Sequence, residues 1–145
     1  MNLGFYFDNL SDAKKLQLIQ QEIERNKDSI LDVSIFYNRV TPIPVQLSAG
    51  IFHVSDMWSF EGILIVDTIK ELLKINHIVN RFKCWYYYYE KNNTDNFVNI
   101  INNVDIADKV LANGQSMNNE YKRLTNKEAD WVVDQYENIS RVGLL

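Results

Sequence analysis

Cysteine is almost absent. The chain carries one, Cys84, so no intrachain disulfide can form, and the sequence suits a reducing compartment. Histidine is nearly as scarce, with only His53 and His77. Together with one cysteine they give no zinc-ligand spacing, and the residues imply neither a metal nor another cofactor. Glycine and proline are few, at 5 and 2. No G-x-G-x-x-G follows the first apolar segment, which reads GFYFDN, and no G-x-x-x-x-G-K-[ST] phosphate loop or G-x-S-x-G elbow occurs. Basic charge is not in excess: the net charge is −4 and the pI about 5.1, which argues against a nucleic-acid partner. Apolar runs such as Gly62 to Val66 fall far short of the ~20 residues that span a bilayer. The N-terminus, MNLGFYFDNL, lacks a basic region followed by a long apolar core, so no signal peptide is expected. A soluble cytoplasmic protein is the expectation, without a membrane or nucleic-acid partner.

Aromatic residues are abundant. The 145 residues include 8 Tyr, 7 Phe and 3 Trp, and 46% are hydrophobic. That is enough to build one real core, so residues 1–145 are read as a single domain. The bias towards Asn and Ile fits an AT-rich genome.

Along the chain, apolar β-rich runs alternate with amphipathic segments. Leu3 to Phe7 reads as a buried strand ending at Asp8-Asn9. Ser11 or Asn9 can then cap a helix over Asp12 to Asn26, with Leu16, Ile19 and Ile23 on one face. Ser29 to Tyr37 is a second strand, which Thr41-Pro42-Ile43-Pro44 breaks. Val45 to His53 reads as a third, and Gly62 to Asp67 as a central strand apolar on both faces. Asp67 or Thr68 can cap a helix carrying Ile69, Leu72 and Leu73. Arg81 to Tyr89 is the next strand, with a polar loop over Glu90 to Asp95 and a short helix over Phe97 to Val104. A strand over Lys109 to Ala112, a helix over Gln115 to Thr125, a strand over Ala129 to Val133 and a docking tail complete the chain. The pattern predicts an α/β, Rossmann-like fold with a mostly parallel sheet of about six strands and helices on both faces.

Ligands of open parallel sheets bind outside the carboxyl ends of the strands. That rule selects Asp8 and Asn9, Tyr37 and Asn38, His53 with Asp56, Asp67 and Thr68, Glu90, and Asn113 with Ser116. His53 and Asp56 form either an acid/base pair or a polar loop in which Asp56 caps a turn. Cys84 reads as a small buried hydrophobe, and His77 as a cation favoured at a helix end. The run Tyr86 to Tyr89 either packs under helices or presents rings to a ligand or partner. Trp58 is either a lid on the core or an exposed anchor.

The stretch Val104 to Ser140, VDIADKVLANGQSMNNEYKRLTNKEADWVVDQYENIS, resembles the end of the N-terminal domain of GT-B-type glycosyltransferases. There a segment such as Ala-Asp-x-Val-x-x-x-Ser gives a strand, a helix and a final strand; Ala107-Asp108-Lys109-Val110 and Ser116 follow it here, with Gly114-Gln115 before the serine as a departure. The whole chain is also similar to small α/β proteins of tailed phages. In GT-B enzymes the nucleotide-sugar donor is held mainly by the C-terminal domain, and chemistry occurs between domains. The resemblance therefore implies a phage-encoded half domain, non-catalytic or partner-dependent, acting in binding or assembly in the host cytoplasm or the virion. Its partner would be a protein or a second copy, and its ligand a sugar or nucleotide sugar. Two alternatives stand beside it. One is a glycosyltransferase-like enzyme with His53 and Asp56 catalytic and Asp8, Asn9, Trp58, Asn113 and Ser116 binding. The other is a virion structural or accessory protein that presents Tyr and Trp to a neighbour.

Overall fold

The computed structural model describes residues 2–28, 31–41, 45–78, 81–90 and 96–142. Strands β1 (Asn2–Leu10), β2 (Asp32–Val40), β3 (Gly50–His53), β4 (Glu61–Val66), β5 (Arg81–Tyr88), β6 (Lys109–Ala112) and β7 (Trp131–Val132) form one sheet in the order β3-β2-β1-β4-β5-β6-β7. Every adjacent pair is parallel. The fold is α/β and Rossmann-like, and its seven strands correspond to the seven strand segments read along the chain, one more than the expected total of about six. The helices are α1 (Ala13–Arg25), α2 (Ile69–Ile75), α3 (Phe97–Asn103), α4 (Gly114–Thr125) and α5 (Ile139–Val142), with 3-10 turns at Val54–Ser59 and Val104–Ile106.

The two-residue period of the strands sorts side chains into two layers. Leu3, Phe5, Ile35, Ile63, Ile65, Tyr87 and Leu111 face one side, where Leu16 and Ile19 of α1 and Tyr136 and Ile139 of the C-terminal segment cover them. Tyr6, Phe36, Leu64, Val66, Tyr86, Tyr88 and Val110 face the other, beneath Ile69 and Leu72 of α2, Ile100 of α3 and Tyr121 of α4. Both faces of the central strands are buried, which is why they read as unbroken apolar runs. Ile63, Ile65 and Val66 are buried in β4, between β1 and β5. All four residues Tyr86 to Tyr89 are buried, and β5 lies between β4 and β6 rather than at an edge. Each fully buried side chain of this size contributes about 1.5–3 kcal/mol.

Two of the few glycines lie at the seam between β1 and β4. A Cβ on Gly4 would meet Leu64 Cδ1 at 2.9 Å, and one on Gly62 would meet the Asn2 carbonyl oxygen at 2.3 Å. Packed side chains crowd the first position and the neighbouring backbone the second. The β1–β4 pairing runs only from Leu3↔Ile63 to Phe5↔Ile65, whereas β1 pairs with β2 as far as Leu10↔Val40. The carboxyl half of β1 therefore stands without a β4 neighbour, and a cleft opens beside it.

Several boundaries differ from the sequence reading. The third strand begins at Gly50, not Val45. Val45, Leu47 and Ala49 still pack against the first core layer, and Ser48 N–H donates to Gln20 Oε1 at 2.8 Å, so apolar burial rather than ladder pairing explains their pattern. The last strand is Trp131–Val132 alone, although beside it the Asp130 N–H still donates to Val110 O and the Val133 N–H to Ala112 O, each at 2.8 Å. Asp12, rather than Asn9 or Ser11, caps α1, with Oδ1 accepting the Lys15 N–H at 3.1 Å. Thr68 caps α2 through the Glu71 N–H at 3.1 Å. The expected strand start at Ser29-Ile30, the break at Pro42 to Pro44, most of the 90–95 loop and the tail beyond Val142 lie outside the described residues.

Candidate functional site at the strand switch point

From β1 the chain moves outward to β2, and from β4 it moves the other way to β5. The loops leaving β1 and β4 diverge, and such a reversal leaves a crevice at the strand ends. A cavity of about 280 Å³ occupies it. The end of β1 supplies Asp8 and Asn9, the start of α1 supplies Asp12 and Lys15, and the β4–α2 junction supplies Asp67 and Glu71.

Lys15 Nζ lies 2.5 Å from Asp67 Oδ2 and 4.0 Å from Glu90 Oε1. It also sits 4.9 Å above the Tyr89 ring, a cation–π distance. Burial disfavours the Lys15 charge, but Asp67 outweighs it and raises the pKa above the usual value. Asp8 faces the opposite wall. The Tyr6 hydroxyl donates to it at 3.1 Å, and Arg39, Lys74 and Lys70 approach it at 3.3, 3.4 and 3.7 Å. Although burial opposes ionisation, the Tyr6 hydrogen bond and the two lysines hold the Asp8 carboxyl below its usual range.

Glu71 lies between these groups and is only 7% exposed. Its Oε1 accepts the Asp8 backbone N–H at 3.3 Å, just beyond the end of the β1–β4 pairing. Its Oε2 is buried without a hydrogen-bond partner. Burial first, and then the neighbouring Asp67 charge, push the Glu71 pKa well above the ordinary carboxylate range. The cavity thus combines a Lys–Asp ion pair, a carboxylate ringed by cations and a buried carboxyl group whose surroundings favour its neutral form.

The sequence-selected residues divide among three places. Asp8 and Asn9 line the switch-point cavity. Asn113 and Ser116 line a wider hollow of about 610 Å³ at the ends of β5 and β6, with Glu90, Asp134 and Gln135. There the Asn113 side chain ties the fold together: its Nδ2 donates to Tyr89 O at 3.1 Å and its Oδ1 accepts the Gln135 N–H at 2.8 Å. His53 ends the edge strand β3. Its Nδ1 accepts the Ser55 N–H at 3.2 Å, and its ring meets Tyr37 edge-on at 5.7 Å. Asp56 is exposed and lines a separate hollow with Phe52 and Ser59. Trp58 is 57% exposed on the same 3-10 turn.

Lys15 and Glu71 were not singled out by sequence. Their signal was positional: Lys15 follows the α1 cap by three residues, and Glu71 lies four after Asp67, so both sit in the first turns of helices that start at strand ends. Among the described residues, no cluster of three or more His, Cys, Asp or Glu side chains could hold a metal ion. None of their helices is long and apolar enough to cross a membrane. Compared with known proteins, the chain matches no family model and no curated protein.

Proposed function

We propose that the chain is a partner-dependent, GT-B-like binding domain that holds a sugar-like ligand at the β1–β4 switch point. One observation carries the reading: the switch-point cavity is walled by hydrogen-bonding side chains of both signs and has no glycine-rich phosphate cradle. Hydroxyl groups both donate and accept, so a polyol can use Asp8, Lys15 and Asp67 at once. A phosphate gains only from the cations on the rim and meets the carboxylates within. The GT-B resemblance of Val104 to Ser140 supports the same ligand class and leaves the donor site to a partner chain.

A thermal-shift screen tests this. Neutral saccharides are expected to raise the melting temperature saturably, and nucleoside diphosphates without sugar to leave it unchanged. A saturable rise with a nucleoside diphosphate alone would move the preference to an enzyme that carries its own donor site.

A second reading has its own observation. Ile51, Phe52 and Trp58 are exposed on the edge strand β3 and the turn that follows it, with Ile51 and Phe52 on opposite faces of the sheet. Exposed apolar groups at a sheet edge suit a protein contact, as an assembly role requires.

A further inference from the structure

We propose that Glu71 is the ligand-reading acid of the switch-point cavity: it stands there as an uncharged carboxylic acid and donates Oε2–H to an acceptor oxygen of a neutral, oxygen-bearing ligand. The inference rests on the reading of that cavity as the binding site.

The geometry leads to it in three steps. Glu71 lines the cavity, its Oε1 is occupied by the Asp8 N–H, and its Oε2 is buried with no partner. Buried polar atoms in folded proteins are almost always paired, so an orphan on a cavity-lining side chain points to a group that meets it once the side chain turns towards the cavity. With Oε1 accepting, the acid proton belongs on Oε2, which becomes a donor in search of an acceptor.

The surroundings select the protonated form. From β1, the Asp8 carboxylate and the Tyr6 hydroxyl face Glu71, and from the end of β4 comes Asp67. Tyr136 of the C-terminal segment adds a further acidic group that interacts with it. Against these stands Lys15 of α1, paired with Asp67, while Lys70 and Lys74 on α2 itself are drawn to Asp8. Burial and Asp67 prevail over Lys15 and the Asp8 N–H and favour the neutral acid. An anionic ligand would add charge beside Asp8 and Asp67. A hydroxyl or carbonyl oxygen accepts the Glu71 proton without that repulsion. Binding then depends on proton occupancy and weakens once pH passes the point at which Glu71 ionises.

Two measurements on the full chain test this. The first follows the Glu71 side-chain carboxyl carbon by NMR from pH 4 to 9. It is expected to titrate well above the other glutamates, and titration in the ordinary carboxylate range overturns the inference whatever binds. The second titrates wild type, Glu71→Gln and Glu71→Met with glucose and, separately, with inorganic phosphate, after each variant's melting curve shows it folded. Glucose is expected to bind wild type at pH 6 and more weakly at pH 9. Glu71→Gln, which keeps a donor, should bind within about threefold of wild type at both, and Glu71→Met at least about tenfold more weakly. If Glu71 holds its proton but glucose leaves the cavity amides unshifted, the saccharide reading of the cavity fails and the inference with it. Phosphate binding that survives Glu71→Met also overturns it.

Discussion

At Gly62 the backbone φ is +144°, and a Cβ there would lie 2.3 Å from the Asn2 carbonyl oxygen. Both terms oppose any side chain, one through strain and one through overlap with a neighbouring strand. Gly62→Ala is expected to cost about 2–4 kcal/mol, a fall in Tm of roughly 5–15 °C in a thermal melt. Cys84 makes a different test. Burial, with Asp108 adding to it, pushes its thiol up to about 12, so little thiolate exists at neutral pH. A thiol reagent at pH 8 should label the native protein slowly and the denatured protein at once; rapid native labelling contradicts the packing of β5. For Glu71 the sign runs the other way from a carboxylate stabilised by cations, such as Asp8. Its folded-state pKa lies above the unfolded value, so its favourable contribution is complete below the ordinary carboxylate range and is lost as pH rises towards the raised pKa. Glu71→Gln should therefore gain stability relative to wild type between pH 4 and pH 8. A Tm difference that stays flat across that range contradicts the buried neutral acid.

The elements differ in how openly the sequence declares them. β4 is an apolar run from Ile63 to Val66 bounded by Gly62 and Asp67, and α1 places Leu16 and Ile19 one turn apart, so both were legible from residue types alone. β3 was not: Val45, Leu47 and Ala49 are apolar because they pack against α1 and the core, and an apolar pattern does not reveal whether a backbone is paired. The site was half legible for a related reason. Asp8, Asn9 and Asp67 follow from the strand-end rule, but Lys15 and Glu71 look like ordinary polar-face residues until strand order sets α1 beside the β4–α2 junction. The turn after β3 carries its own consequence. Trp58 is 57% exposed, so Trp58→Ala should change folding stability by no more than about 0.5 kcal/mol. If the β3 edge is the contact, the same substitution should weaken self-association by about 2 kcal/mol or more, read by light scattering across a dilution series. A wild type that is monomeric throughout the series excludes self-association through that edge.

At the scale of the whole molecule, strand order does the placing. Because β1 and β4 are neighbours whose connections leave in opposite directions, the charged residues of the chain's first and middle thirds meet at one cleft, while His53 and Asp56 stay at the far edge with β3. The net charge of −4 and the absence of a phosphate cradle favour a neutral ligand over a polyanion. The proposed binding site is therefore the switch-point cavity rather than the β3 edge or the Asn113 hollow. Amide chemical-shift mapping with a neutral saccharide that stabilises the protein tests this most directly. The expected result is a cluster of saturable shifts over Asp8 to Leu16 and Asp67 to Glu71. Shifts centred instead on His53 to Phe60, or on Asn113 to Met117, would contradict it.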